Sequence, residues 1–335
     1  MKIGLLFAGQ GAQHTGMGKS LYEQSQSARE MMDRAGDQVK EWCFFGTKEM
    51  LRQTNITQPC IYTVTMAAYA GFQEELFKLS QRQLEQIKIV GFAGFSLGEY
   101  AALTASGVMK NFQQGLEIVK NRGAWMNEAG LDEKGEAKGG MVAAFGDRTH
   151  VVDCVNRSRC SDILECVNFN SPIQTVVAGS KEALERFKVN AKALGGMKAI
   201  PLSVSTAFHS SMMEPAVPKL TALLKNSGLR APNVTIYSNV TGKNLMEKFE
   251  TTAELPENQG DYIAEMMGKQ AMSPVYWQET IENMIEEGVD LFIEIGPGST
   301  LSGLVKKINH EVMTLNISDY ETLMKTMEEL RGILC

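Results

Sequence analysis

Apolar and polar residues alternate along the chain with two periodicities, which together predict an α/β protein. Runs rich in β-branched and aromatic residues, typical of buried strands, lie at 2–7, 87–92, 234–238 and 291–295. Apolar residues recur with helical spacing over 19–42, 57–79, 111–130 and 319–331. The second of these helices is predicted to begin at Thr57, with Pro59 in its first turn. Strands that alternate with helices favour a parallel sheet.

The middle of the chain follows a different order of elements. After a stretch rich in charge and glycine at 131–140, the pattern predicts strand, helix, strand, strand, helix and strand over 141–145, 149–157, 163–168, 175–179, 181–194 and 199–204. This βαββαβ order is the ferredoxin-like arrangement. We therefore expect an α/β-hydrolase-like main domain with a parallel sheet, formed by 1–136 and 206–335, and an inserted ferredoxin-like small subdomain at 137–205. A polar loop is predicted at 247–260.

A Gly-x-Ser-x-Gly turn joins the predicted strand at 87–92 to a helix. Its residues are Gly94-Phe95-Ser96-Leu97-Gly98. In such an elbow the serine adopts a strained backbone conformation, and glycine on either side avoids collision with the strand and the helix. The helix N-terminus favours negative charge beside the serine. Ser96 is the candidate nucleophile; the alternative is a glycine-rich turn with an inert serine.

Two further residues suggest chemistry by their surroundings. Arg122 precedes the apolar run Ala124-Trp125-Met126, which makes it a candidate for an inward-facing group that binds a carboxylate. His209, in a loop far along the chain from Ser96, is flanked by Phe208 and small hydroxyl residues, so the fold could bring it to the serine as a base. The alternative for both is an ordinary solvated surface residue.

Composition narrows the function without identifying it. The 335 residues are 44% hydrophobic and 21% charged, as in an ordinary globular protein. A net charge of −6 argues against a nucleic-acid binder that relies on a basic surface. Neither a membrane segment nor a signal peptide is expected, which predicts a cytoplasmic protein. The six cysteines include no C-x-x-C pair, so we expect neither a disulfide framework nor a metal site.

With these residues assembled, the chain resembles the malonyl-CoA:acyl carrier protein transacylases, the acyltransferases of fatty-acid and polyketide synthesis. The resemblance covers nearly the whole length. It rests on seven segments in the same order: Phe7 to Gln13, Gly94 to Tyr100, Arg122-Gly123, Asn168 to Pro172, Ala207 to Ser210, Gln270 to Pro274 and Glu294 to Gly298.

The resemblance implies a catalytic set. Ser96 corresponds to the nucleophile and His209 to the base, which a backbone carbonyl at Gln270 orients in place of an aspartate. Backbone N–H groups at Gln10 and Leu97 correspond to the oxyanion hole. The implied reaction is a ping-pong transfer of a malonyl group from malonyl-CoA to the thiol of an acyl carrier protein, through a malonyl-serine and with no cofactor.

The resemblance also implies substrate contacts. Arg122 corresponds to the residue that holds the malonyl carboxylate, and Asn168 belongs to a segment of the substrate site. Phe208 resembles the aromatic residue that crowds the α-methyl group of methylmalonyl. The acidic carrier protein needs a local basic surface on this acidic chain, and four lysines are expected to provide it beside the cleft: Lys192, Lys198, Lys306 and Lys307.

Two departures from the family pattern stand out. Ala8 replaces the usual proline, which changes the rigidity of a turn. Phe95 replaces the usual histidine before the nucleophile, and phenylalanine makes none of the hydrogen bonds that a histidine makes. Two other functions therefore stay open: a serine acyl-hydrolase that uses the same elbow, and a catalytically idle module that binds the carrier protein.

Overall fold

The computed structural model describes residues 1–193, 196–204, 206–250 and 258–334. The strands are β1 (Lys2–Phe7), β2 (Lys88–Gly94), β3 (Gly139–Phe145), β4 (Leu164–Ser171), β5 (Gln174–Ser180), β6 (Lys198–Pro201), β7 (Ile236–Tyr237), β8 (Leu291–Ile295) and β9 (Met313–Ile317). The helices are α1 (Lys19–Gln24), α2 (Gln26–Ala35), α3 (Asp37–Phe45), α4 (Thr54–Leu76), α5 (Gln81–Glu85), α6 (Leu97–Ala105), α7 (Phe112–Ala129), α8 (Arg148–Arg159), α9 (Lys181–Ala193), α10 (Val217–Lys225), α11 (Glu247–Glu250), α12 (Gln259–Gln270), α13 (Trp277–Glu286), α14 (Thr300–Ile308) and α15 (Tyr320–Ile333). Short 3-10 helices occupy Met50–Arg52 and Ser211–Ala216.

A five-stranded sheet in the order β7-β2-β1-β8-β9 forms the centre of the main domain, and all its strand pairs are parallel. Strands β1 and β8 are buried along almost their whole length because helices cover both faces. The carboxyl ends of β1, β2 and β8 therefore meet at one edge, where the turns that follow them lie close together. The predicted parallel-sheet main domain is confirmed.

The inserted segment forms a four-stranded antiparallel sheet in the order β4-β5-β3-β6. Val142 and Ala144 of β3 pack on α8 and α9, whereas Met141 and Ala143 face the main-domain core. The predicted ferredoxin-like arrangement is confirmed. The strands and helices of the small subdomain lie between its predicted boundaries at 137 and 205, and those boundaries themselves stay a prediction. Leu194 and Ser205 lie outside the described residues, as does 251–257, half of the polar loop predicted at 247–260. The loop prediction is wrong at both ends, because 247–250 form α11 and α12 begins at Gln259, where the Asn258 side chain accepts a hydrogen bond from the N–H of Asp261.

Two of the predicted helices differ from those observed. The segment 19–42 contains three helices, because Ser25 accepts a hydrogen bond from the N–H of Ala28 to cap α2, and Gly36 (φ 88°) separates α2 from α3. The start predicted at Thr57 is wrong: α4 begins at Thr54, after an extended Gln53. Pro59 lies inside α4, where tertiary burial of nearly all of the first half of the helix outweighs the lost hydrogen bond.

The two sheets are joined by backbone hydrogen bonds as well as by the chain. The N–H of Phe169 in β4 donates to the carbonyl of Val275 (2.9 Å), and the N–H of Val275 donates to Val167 (2.8 Å). Arg148 forms an ion pair of 2.5 Å with Glu279 of α13 beside this contact. These hydrogen bonds and the ion pair therefore hold the small subdomain to the main domain along one edge of the cleft between the two sheets.

Among the described residues, no helix is both long and apolar enough to cross a membrane.

Candidate active site

Ser96 occupies the turn between β2 and α6 in a conformation rare for a residue with a side chain (φ 51°, ψ −103°). The flanking glycines explain how this turn is possible. A Cβ at Gly94 would lie 2.0 Å from the carbonyl carbon of Gly98, and one at Gly98 would lie 2.0 Å from the carbonyl oxygen of Phe7. Close backbone approach on both sides therefore excludes any other residue at these two positions.

His209 lies against this serine. Its Nε2 is 2.6 Å from Ser96 Oγ, while its Nδ1 is 3.0 Å from the backbone oxygen of Gln270 and 3.1 Å from that of Ser273. Since a carbonyl only accepts, Nδ1 carries the proton and Nε2 is left as the acceptor for the serine hydroxyl. Burial, reinforced by the positive charge of Arg122, lowers the pKa of His209 to about 4. The imidazole is therefore neutral at physiological pH.

Arg122 projects from α7 into the same site and is only 1% exposed. Its Nη2 is 3.3 Å from Ser96 Oγ and 3.1 Å from Oε1 of Gln270, and the guanidinium lies over the ring of Tyr100. Burial lowers the pKa of the guanidinium. The buried carboxyl of Glu99 acts on it electrostatically without forming an ion pair, and its Nε has no hydrogen-bond partner among the described residues. A buried cation in this state is suited to an anionic ligand.

Two residues of the site carry no signal strong enough to single them out in the sequence. Asn239, directly after β7, accepts a hydrogen bond from the Ser96 N–H (2.6 Å) and donates one to the carbonyl of Gly94 (2.7 Å). Glu99, in the first turn of α6, is fully buried and accepts from the side chain of Gln270 and from the Asn239 N–H. The sequence offers one weak indication for each residue: Glu99 is a carboxylate in an otherwise apolar helix, and Asn239 is an asparagine at the end of a strand.

The turn after β1 packs directly on the elbow. A Cβ at Gly9 would lie 2.3 Å from the carbonyl oxygen of Phe95. Gln10 and Ser96 consequently line the same cavity, and Leu97 follows Ser96 as the first residue of α6, where backbone N–H groups lack intrahelical partners. The backbones of Gln10 and Leu97 are therefore near the serine, and the oxyanion hole at their N–H groups stays a prediction.

A cavity of about 650 Å³ opens between the two sheets over Ser96. Phe208 and Asn168 line it, and Oδ1 of Asn168 has no hydrogen-bond partner among the described residues. Phe95 also lines it, with its ring in edge contact with Trp277 at 5.2 Å between centroids. At the position where the family resemblance predicts a histidine, Phe95 therefore makes an apolar contact with an aromatic ring.

The four lysines proposed for carrier docking are exposed, but they do not share one surface. Lys198 pairs with Phe145 across the small sheet, on the face that includes the cavity-lining Ala143. Lys192 belongs to α9, which packs on the opposite face. Lys306 and Lys307 lie in the last turn of α14, whose first turn lines the cavity.

Within the same described ranges, no group of three or more His, Cys, Asp or Glu residues is placed to hold a metal ion. The five cysteines found there are free thiols.

An elbow serine paired with a histidine on an α/β fold defines the class of enzymes that transfer or hydrolyse acyl groups. The model of one family, the acyl transferase domain, matches residues 5–332. The chain therefore belongs to the acyl transferase domain family and is an acyltransferase.

Similar proteins cover the chain from end to end. The malonyl CoA-acyl carrier protein transacylase of Bacillus subtilis is 35% identical over 336 residues, 98% of this chain and 98% of the relative. The malonyl CoA-acyl carrier protein transacylase of Escherichia coli is 33% identical over 312 residues, 92% of this chain and 93% of the relative. The crystal structure of the Clostridium perfringens transacylase of that name has a TM-score of 0.85 at 38% identity, covering 99% and 98% of the two chains. A malonyl-transacylase in complex with a type II PKS acyl-carrier protein has a TM-score of 0.86 at 31% identity, covering 98% and 100%.

Proposed function

We propose that the protein transfers a malonyl group from malonyl-CoA to the phosphopantetheine thiol of an acyl carrier protein. Its relatives are named for this activity, and one of them is in complex with a carrier protein. The observation that carries the proposal is the buried guanidinium of Arg122, 3.3 Å from Ser96 Oγ and in no ion pair with a carboxylate among the described residues. A malonyl group on Ser96 brings the free carboxylate that would pair with this cation.

The first half-reaction acylates the serine. The Ser96 hydroxyl gives its proton to Nε2 of His209 while Oγ attacks the thioester carbonyl of malonyl-CoA. The C–S bond breaks, the proton passes from Nε2 to the departing sulfur, and CoA leaves as its thiol. In this scheme the N–H groups of Gln10 and Leu97 stabilise the negative charge on the carbonyl oxygen of the tetrahedral intermediate.

The second half-reaction runs in the opposite direction with the carrier thiol. His209 takes the thiol proton, the sulfur attacks the malonyl-serine ester, and Ser96 regains its proton as the ester bond breaks. The carbonyls of Gln270 and Ser273 hold the proton on Nδ1 throughout, so that Nε2 alone exchanges protons. Because no atom changes its oxidation state, the scheme needs no redox cofactor, and it needs no metal ion.

Intact mass measurement after incubation with malonyl-CoA tests this function. We expect a persistent malonyl adduct on the protein, absent from Ser96→Ala, and its discharge when carrier protein is added. Release of CoA and malonate without an adduct would identify a hydrolase instead. No reaction at all would favour an idle module that binds the carrier protein.

A further inference from the structure

The outer end of the cavity is lined by cations that the proposed reaction does not use. Lys48 lies between α3 and the 3-10 helix Met50–Arg52, and Arg52 ends that helix. Both line the cavity, and both are exposed, whereas His209 at its inner end is buried. We call Lys48 and Arg52 the entrance cations. His14, which is also exposed, lines the cavity with them.

The backbone that carries the entrance cations is bonded to the turn after β1. The Thr15 hydroxyl donates to the carbonyl of Gly46 (2.6 Å), and the Gln13 side-chain amide donates to the carbonyl of Leu51 (3.1 Å). A third hydrogen bond, of 2.9 Å, runs from the N–H of Gly16 to the carbonyl of Cys43. These contacts hold the two loops together, so that the entrance cations have a defined position relative to the turn that follows β1.

The charge of the cavity lining is opposite to that of the whole chain. Its described cations are Lys48, Arg52 and Arg122, and its one described carboxylate is Glu294. Glu294 is 1% exposed, and its oxygens accept N–H groups of α14, so it does not face the entrance cations as a free anion. Neither entrance cation forms an ion pair among the described residues. The cavity of a chain with net charge −6 is therefore positive at both ends.

We propose that Lys48 and Arg52 bind a phosphate group on the substrate arm while the acyl end of that arm reaches Ser96. This inference rests on the proposed function, in which both substrates carry sulfur at one end of a pantetheine arm and phosphate at the other. Arginine offers a planar fork of donors to phosphate oxygens, and lysine adds a point charge. Arg122 then meets the carboxylate at the inner end, and the entrance cations meet the phosphate at the outer end.

Steady-state kinetics with donors that differ in phosphate test the assignment. The variant is Lys48→Glu/Arg52→Glu, compared at low salt with native protein and with Arg82→Glu/Lys181→Glu, which makes the same charge change at exposed positions outside the cavity. We expect the KM for malonyl-CoA to rise roughly tenfold in the entrance variant, with kcat unchanged and a smaller effect at high salt. The KM for malonyl-pantetheine, which has no phosphate, should stay the same in all three proteins.

Acceptors identify which phosphate is bound. With acyl-enzyme prepared from malonyl-pantetheine, discharge to phosphopantetheine should weaken in the entrance variant if the arm phosphate binds there, while discharge to pantetheine is retained. An effect confined to malonyl-CoA would assign the site to the nucleotide phosphates.

An equal rise in KM for both donors, or no change for either, would overturn the proposal, as would the same loss in the control variant. Lys48→Gln/Arg52→Gln should give a smaller effect in the same direction. Failure of the proposed function is separate, because native protein would then form no malonyl-Ser96.

Discussion

Glu99 and Gln270 are joined inside the protein by a hydrogen bond of 3.0 Å from Nε2 to Oε2. The same amide nitrogen donates to the backbone oxygen of Ser96 (2.7 Å), and the Gln270 backbone carbonyl is 3.0 Å from Nδ1 of His209. A single residue therefore contacts both proposed catalytic residues. The carboxylate of Glu99 fixes the direction of its amide, so the buried acid supports the site without contacting the acyl group.

The stability of the protein is expected to depend on the titration of Glu99. Burial raises the pKa of this carboxyl to about 7 from 4.5, against the hydrogen bonds from Gln270 and Asn239. The folded state holds the proton more tightly, so this group's contribution to the free energy of unfolding is full below pH 4.5 and falls by about 3 kcal/mol as pH rises through 7. Denaturant unfolding of native and Glu99→Gln protein from pH 5 to 8 measures this. The native-minus-variant difference should shrink with rising pH, and parallel curves would contradict the expectation.

Acylation of Ser96 should be insensitive to pH across the neutral range. The pKa of His209 is lowered to about 4, so the neutral base is already present well below pH 7. Single-turnover acylation by malonyl-CoA, followed by quenched mass measurement, should rise with pH through about 4 and level off above it. His209→Ala should lower the plateau by at least ~10³-fold. A midpoint near 6.5 that persists in Glu99→Gln protein would mean that the imidazole is solvated in the working enzyme.

Arg122→Ala should reduce malonyl transfer much more than acetyl transfer. Loss of one partner from a buried, hydrogen-bonded ion pair costs about 2–4 kcal/mol, or roughly 30- to 1000-fold in kcat/KM. Acetyl has no carboxylate, so its transfer should change little. The comparison uses malonyl-CoA and acetyl-CoA with the same carrier protein. Equal losses for the two donors would make Arg122 a structural residue.

Phe208→Ser is expected to raise the use of methylmalonyl relative to malonyl. The phenylalanine directly precedes His209, is 7% exposed and lines the same cavity as Ser96, so its ring takes up part of the space open to an acyl group. The smaller serine leaves room for an α-methyl group. Competition between the two CoA donors gives the ratio directly. An unchanged ratio would count against a role for this ring in donor choice.

Lys198→Glu should weaken transfer to the carrier protein more than Lys192→Glu does. The two lysines belong to the same subdomain, but only Lys198 lies on the sheet face that lines the cavity. The expected change is a several-fold rise in the KM for carrier protein, largest at low salt. Lys306→Glu/Lys307→Glu tests the second proposed group. Pantetheine as acceptor is the control, and a parallel loss with pantetheine would exclude a docking role.

Local chemistry explains which parts of the site are predictable. The elbow is recognisable because Gly94 and Gly98 are required by contacts within a few residues of Ser96 and by the adjoining strand. The fold class follows from periodicity, and the order of the inserted elements predicts their antiparallel sheet. Asn239 is not predictable in this way, because its contact with Ser96 depends on β7 lying beside β2, which no local pattern encodes.

The pairing of His209 with Ser96 is predicted by the family resemblance and not by the spacing of residues in the sequence. The approach of His209 to Ser96 depends on the packing of two segments from distant parts of the chain, and the residues alone offer only a candidate. The predicted start of α4 is misplaced because a proline is typical of a first helical turn, whereas burial along this helix sustains Pro59 inside it.

The segment that anchors the His209 imidazole also anchors the small subdomain. The carbonyl of Ser273 is 3.1 Å from Nδ1 of His209, and two residues later Val275 forms hydrogen bonds with β4. A graft of the small subdomain from a relative, made to alter acyl range, would thus replace the strand that Val275 contacts and disturb the anchor of the imidazole. Such a graft should therefore carry residues 273–276 together with the subdomain.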